Sequence, residues 1–292
     1  DHNVDHRALH LFARVALWQL ADDGVSPQLL AAPVHFTRWP EPRRAQPDQP
    51  AEPPAFLEND GPWFEYALAP FQVSNKLAAL RRHHSQFRWA PDILQSHVRK
   101  TELFAAPADL AFPGGRGSAE IAETDDTEFR PDENLLQALE QESDAWHDLA
   151  GQHAAESAAL ADFDNDIVQT RWEGDGQALT AAFRFRRPVA PPARMSIRLY
   201  GYRGDRPFGD LPKIEIEAGP DEILSVADLN RRQPADAVQL VSDGNDEIAV
   251  RVPYALLGRP EKILAGALLL KKRLPIDGIP WRVLDLAGRA GR

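Results

Sequence analysis

Cysteine is absent from the 292 residues. That removes disulfides, thiolate zinc fingers, iron–sulfur clusters and cysteine nucleophiles in one stroke, and it fits a reducing cytosol and an oxidising periplasm equally. Methionine occurs once, at Met195, and the chain opens on Asp1. No apolar run approaches the roughly 20 residues needed to span a bilayer. The longest, "ILAGALLL" at 263–270, is the size of a strand or a short buried helix. Positive charge is in deficit: the net charge is −11 and the pI about 5.3. Nucleic-acid binding needs a basic surface that displaces counterions, so nucleic acid is not an expected partner. A soluble, cytoplasmic chain without a transmembrane segment is the expectation.

What is present falls into three textures. Residues 1–118 read as α/β. Apolar residues at Leu9, Phe12, Ala13, Ala16, Leu17 and Leu20 recur at helical spacing over 7–21, the stripe of a surface helix. Gly24 is placed to end it. "PVHFTRWPEPRR" (33–44) and "WFEYALAP" (63–70) read as short strands, and "NKLAALRRHHSQF" (75–87) and "APDILQSHVRKTELF" (90–104) as helices. Residues 119–160 form an acidic linker with one helix: over 119–166 fifteen acidic side chains face a single Arg130. "DFDND" (162–166) alternates acids but lacks the glycine and closing glutamate of a calcium loop. From 161 to the end, short alternating runs separated by turn residues predict an all-β sandwich. The clearest is a hairpin around Gly174-Asp175-Gly176.

The reactive-looking stretch is the first one, "DHNVDHRAL". His2 and His6 stand four apart, the spacing that projects two imidazoles from one helical face toward a metal. Asp5 could orient an imidazole or act on a bound water. Exposed histidines behind a helix cap are the plainer alternative. In the sandwich, Trp172 and Tyr202 lie near strand ends, where loops carry function. An exposed ring there would stack on the apolar C–H face of a sugar.

These segments resemble a known family. "HNVDH" is similar to the second histidine motif, HPDH or HxxDH, of the PIG-L/LmbE zinc-dependent N-deacetylases. "VHFTRWPEPR" (34–43) resembles their "LVHRGDWPxP" segment. "KLAALRRHHSQF" (76–87) with "HVRKTELF" (97–104) resembles their late "KxxAL…SQ…FxRxxELF" pattern. Three patterns in the family's order span about 100 residues. The resemblance implies that 1–118 is the C-terminal part of a Rossmann-like α/β deacetylase domain. The first motif, A-H-P-D-D, would then lie ahead of Asp1. It implies Zn2+ as cofactor, His6 as its ligand, and Asp5 and His2 in catalysis. Asn3 departs from the family pattern where a catalytic histidine is usual, with His2 one position earlier. The substrate implied is an N-acetylglucosamine-type conjugate. Arg99 and Glu102 match late motif positions and are expected to form an ion pair. The β region resembles carbohydrate-binding and DOMON-like sandwiches, which makes Trp172 and Tyr202 the substrate-binding candidates. The competing expectation is a glycan- or partner-binding sandwich joined to a degenerate, non-catalytic α/β segment.

Overall fold

A computed structural model describes residues 4–34, 39–54, 57, 61–89, 91–123, 165–229, 237–242, 244–271 and 274–288. The acidic linker's predicted helix, most of "DFDND" and His2 lie outside them. The chain divides into two compact units.

The larger unit is a β-sandwich with one helix. Helix α1 (Val4–Asp22) opens it. Strands β3 (Leu110–Ala111), β4 (Arg116–Ala122), β5 (Ile167–Asp175), β6 (Ala178–Phe185), β7 (Ala193–Tyr202), β8 (Lys213–Ala218), β9 (Ile223–Asp228), β10 (Gln239–Leu240), β11 (Glu247–Pro253), β12 (Lys262–Lys271) and β13 (Leu274–Asp285) follow. They form a five-stranded sheet in the order β10-β11-β6-β5-β4 and a six-stranded sheet in the order β3-β13-β12-β7-β8-β9. All pairings are antiparallel except β13 with β3. The period-2 pattern explains the strands: Ile214, Ile216 and Ala218 turn inward on β8 while Lys213, Glu215 and Glu217 turn outward. The central strands β6 and β12 are buried along most of their length. That fits the continuous apolar run of β12 and the run of β6, which Thr180 and Arg184 interrupt.

Helix α1 lies on the six-stranded sheet. Val15, Tyr202, Leu264 and Val283 form a buried cluster, with Leu11, Trp18, Tyr200, Phe208 and Trp281 packed around it. Arg7 donates to the carbonyl of Ile279 (3.3 Å), and Arg14 pairs with Asp109 (3.2 Å). The helix ends as its sequence suggests. Gly24 takes φ +80°, and Val25 N–H reaches back to the Leu20 carbonyl (2.9 Å). The face it uses is not the one its spacing suggests. Leu9, Phe12 and Leu20 are 67, 65 and 40% exposed. The helix has two apolar stripes, and the one holding Trp18 wins because its rings and aliphatics fit over Tyr202.

The smaller unit contains β1 (Trp63–Ala67), α2 (Pro70–Arg82), α3 (His84–Trp89), α4 (Pro91–Ser96) and β2 (Thr101–Ala105). Among the described residues its sheet is the antiparallel pair β1–β2, which Ala31 joins by a single antiparallel bridge to Ala105. This corrects the expectation of an α/β, partial Rossmann-like domain. Such a domain needs parallel strands joined by crossover helices. Among the described residues the only parallel contacts are the two-residue β13–β3 pairing and the Gln46–Arg99 bridge. The described residues are predominantly β, in three sheets. The predicted helix over 90–104 is also replaced. It stops at Ser96, and 101–105 is strand.

Candidate functional site

Two places bear on function, and the sequence pointed to the first of them. The first is the start of α1. His6 sits on its first turns, half-buried. Asp5 is in the same turn, but its side chain lies outside what is described. Zinc in a catalytic site takes three protein ligands. Among the described residues no three His, Asp or Glu side chains converge in that way. The described residues therefore do not by themselves make a zinc site.

Trp172 and Tyr202 are not brought to a surface. Trp172 is fully buried on β5, edge-on to Phe183 at 5.8 Å, with Ala119 and Ala181 opposite it on the neighbouring strands. Its indole N–H has no hydrogen-bond partner among the described residues. Tyr202, at the end of β7, is 3% exposed because Trp18 of α1 covers it, ring centroids 4.7 Å apart. Neither ring offers a face for a sugar to stack on. The substrate-binding role expected for them is corrected to core packing.

Arg99 and Glu102 do not pair with each other. Arg99 is buried and donates to the carbonyls of Ser96 (2.8 Å) and Pro42 (2.8 Å) and to Gln49 Oε1 (3.2 Å). Glu102 accepts from Lys76 Nζ at 2.7 and 2.8 Å. His97 meets Trp39 edge-on at 5.4 Å. The "RWPEPR" and "HVRKTELF" segments thus meet in one network, with Lys76 of the "KLAAL" segment tied to it through Glu102.

The second place is a cleft of about 820 Å3 at one end of the sandwich. This is within the range of ligand pockets. Three turns build it: Gly114–Gly115 ahead of β4, Gly176–Gln177 between β5 and β6, and 253–261 between β11 and β12. Its floor is rigid. The Tyr254 hydroxyl donates to the Gly115 carbonyl at 2.9 Å. A Cβ on Gly115 would sit 2.7 Å from the Tyr254 ring, and one on Gly174 would collide with the Gly115 carbonyl and the Tyr254 hydroxyl. Only glycine fits at either position. Burial pushes the Tyr254 phenol up to about 12, with Asp175 adding to the shift and Arg251 opposing it.

One wall is fixed by Asp175. It accepts from Gln177 N–H (2.7 Å) and Ala178 N–H (2.8 Å) and binds Arg251 at 2.6 Å. Those backbone hydrogen bonds hold its carboxyl below the usual range. The rim carries Arg259, Glu261, Gln177 and Gln239 between the apolar surfaces of Pro253, Pro260 and Leu286. The arrangement offers planar hydrogen-bonding groups over apolar patches. Among the described residues that line it there is no nucleophile–base pair. Nothing in the local sequence brings these turns together, because they are far apart along the chain. The one local signal is "PYALLGRP" (253–260), where a Gly-Arg-Pro turn follows a strand.

No protein-family model matches the chain, and no curated protein matches it.

Proposed function

We propose that the chain is a binding module and that the sandwich cleft is its ligand site, with a glycan as the ligand class. The Gly115–Tyr254 floor carries this reading: a floor whose one side chain is already packed and hydrogen-bonded binds with little ordering cost. Polar planar groups interleaved with apolar patches suit a ligand that alternates hydroxyls with C–H faces. Calorimetric titration of the full chain with cellobiose, N,N′-diacetylchitobiose, maltose and α-mannobiose tests it. Ala255, exposed at the rim, gives the control. At least one disaccharide binds at millimolar concentration or better, and Ala255→Trp, which fills the cleft, abolishes that binding with the circular dichroism unchanged. Binding by none of the four, or binding that Ala255→Trp leaves intact, overturns the reading.

A second reading is supported by the three ordered motifs and by the network that joins Trp39, Pro42, His97, Arg99, Lys76 and Glu102. In it the chain contributes to a metal-dependent hydrolase that removes the acetyl group from an N-acetylglucosamine-type conjugate. His6 is a zinc ligand, with Asp5 and His2 beside it. The remaining ligands then come from residues other than those described. The activity is proposed without the parallel α/β fold. The test is acetate release and zinc content in the product of the complete coding sequence. His6→Ala lowers both by two orders of magnitude or more, as loss of a first ligand requires. Unchanged zinc and unchanged rate in His6→Ala contradict it.

A further inference from the structure

We infer that Arg259 is the specificity-determining residue of the sandwich cleft, held in a strained backbone conformation to hydrogen-bond the hydroxyls of a neutral saccharide. The inference rests on the binding-module reading and narrows it to a residue and a charge class. Arg259 takes φ +53°, in the left-handed region, where non-glycine residues are uncommon. It follows Gly258, itself at φ +76°. The turn is closed by Arg259 N–H on the Tyr254 carbonyl (2.7 Å) and Gly258 N–H on the Ala255 carbonyl (3.2 Å). Glycine would satisfy this backbone without strain. Arginine there costs stability, and such costs gather at ligand sites. The other non-glycine residue with positive φ among the described residues is Arg44, whose guanidinium pairs with Asp92 at 3.2 Å. The Arg259 guanidinium has no side-chain or carbonyl partner among the described residues. It stands exposed on the cleft rim.

Charge decides the ligand class. Arg251 is neutralised by Asp175 at 2.6 Å. That leaves Arg259 and Glu261, one charge of each sign, two residues apart on the rim, with Glu261 Oε2 accepting from Gly204 N–H at 3.4 Å and the Arg116 guanidinium lying against the Gly176 turn. Backbone N–H groups that could cradle an anion are already used: Gly114 by the Leu286 carbonyl, Gly115 by that of Phe112, Gly176 by that of Gly115, and Gln177 by Asp175. A balanced pair of guanidinium and carboxylate, with few spare backbone donors, matches vicinal hydroxyls. Each hydroxyl donates to the carboxylate and accepts from the guanidinium.

Arg259→Gly separates structure from recognition. The variant keeps the fold and melts at a higher temperature, because the strain is relieved. Its affinity for whichever of the four disaccharides binds falls tenfold or more. Arg259→Lys, which keeps the charge and loses the planar fork, falls nearly as far. Saccharide binding that Arg259→Gly leaves unchanged overturns this inference while the binding-module reading stands. A lower melting temperature in Arg259→Gly removes the strain argument and overturns it as well. Glucuronate binding tighter than the neutral disaccharides, and weakening steeply with salt, overturns the neutral class. No saccharide binding at all defeats the binding-module reading together with it.

Discussion

Trp172 and Arg99 are among the largest fully buried side chains, one in each unit. Around Trp172 the neighbours are Phe183, Ala119 and Ala181, and the sandwich is held by apolar area removed from water. Around Arg99 the partners are two carbonyls and a glutamine amide. Among the described residues of that unit the buried apolar ones are few and scattered: Trp39 and Ala51 with Leu103, then Val73 and Val98. The smaller unit is held by directed polar contacts: Trp39 Nε1 on the Glu52 carbonyl, Ala51 N–H on Thr101 Oγ1, and Lys76 on Glu102. An apolar core tolerates repacking with graded losses. A buried guanidinium does not, since removing it strands its acceptors.

The largest expected effect is in the sandwich. Trp172→Ala should cost about 3–5 kcal/mol, as large-to-small core changes do. Chemical denaturation followed on the sandwich should show it as a lower midpoint with an unchanged slope. Arg99→Met comes next, at about 3 kcal/mol, since it removes charged hydrogen bonds and leaves buried carbonyls unpaired. Amide exchange should speed up in β1 and β2 and stay unchanged in β6 and β12. Accelerated exchange throughout would erase the contrast between the units.

The third effect is pH dependence at the helix–sheet contact. Burial, reinforced by Arg14, lowers the His10 pKa from 6.5 to about 4. Its folded-state pKa lies below the unfolded value. The contribution is therefore intact above pH 6.5 and lost as pH falls toward 4, where the unfolded chain takes up a proton that the folded chain resists. Thermal scans of the chain should show a decline on the order of 2 kcal/mol across that window, and His10→Gln should flatten it. The smallest effect sharpens the two faces of α1. Phe12→Ser, at 65% exposure, should stay within about 0.5 kcal/mol of the parent, whereas Val15→Ser, at 6%, should cost about 2 kcal/mol. Paired melting curves decide it.

The contrast between the units also explains what was legible in the sequence. The alternation in "KIEIEA" and "RMSIRLYGY" and the Gly-Asp-Gly turn placed β8, β7 and the β5–β6 hairpin, because burial on one face of a strand writes a period of two. The edge strand β4 was missed: its residues are largely exposed, and its period of two rests on Ala119 and Ile121 alone. In the smaller unit "TELF" continues a helical spacing from "DILQSHV". The strand there is set by pairing with Trp63–Ala67 and by Arg99 holding the preceding turn, neither of which is local. The burial of Tyr202 was illegible for a related reason: the residue that covers it, Trp18, is on the helical stripe the spacing did not favour. The cleft left one local mark, the Gly-Arg-Pro turn at 258–260. Gly115, Gly176 and Arg259 meet only once both sheets have formed, and the left-handed backbone at Arg259 leaves no mark in residue type.

The proposed ligand site joins the turns at 114–115, 176–177 and 253–261. Amide-resolved NMR of the full chain during titration with the tightest-binding of the four disaccharides reads that site residue by residue. Shift changes should cluster at Gly115, Gly176, Gln177 and 254–261, with β1, β2 and α1 silent. Changes centred on the exposed rings of Phe64 and Tyr66, or on α1, would contradict it.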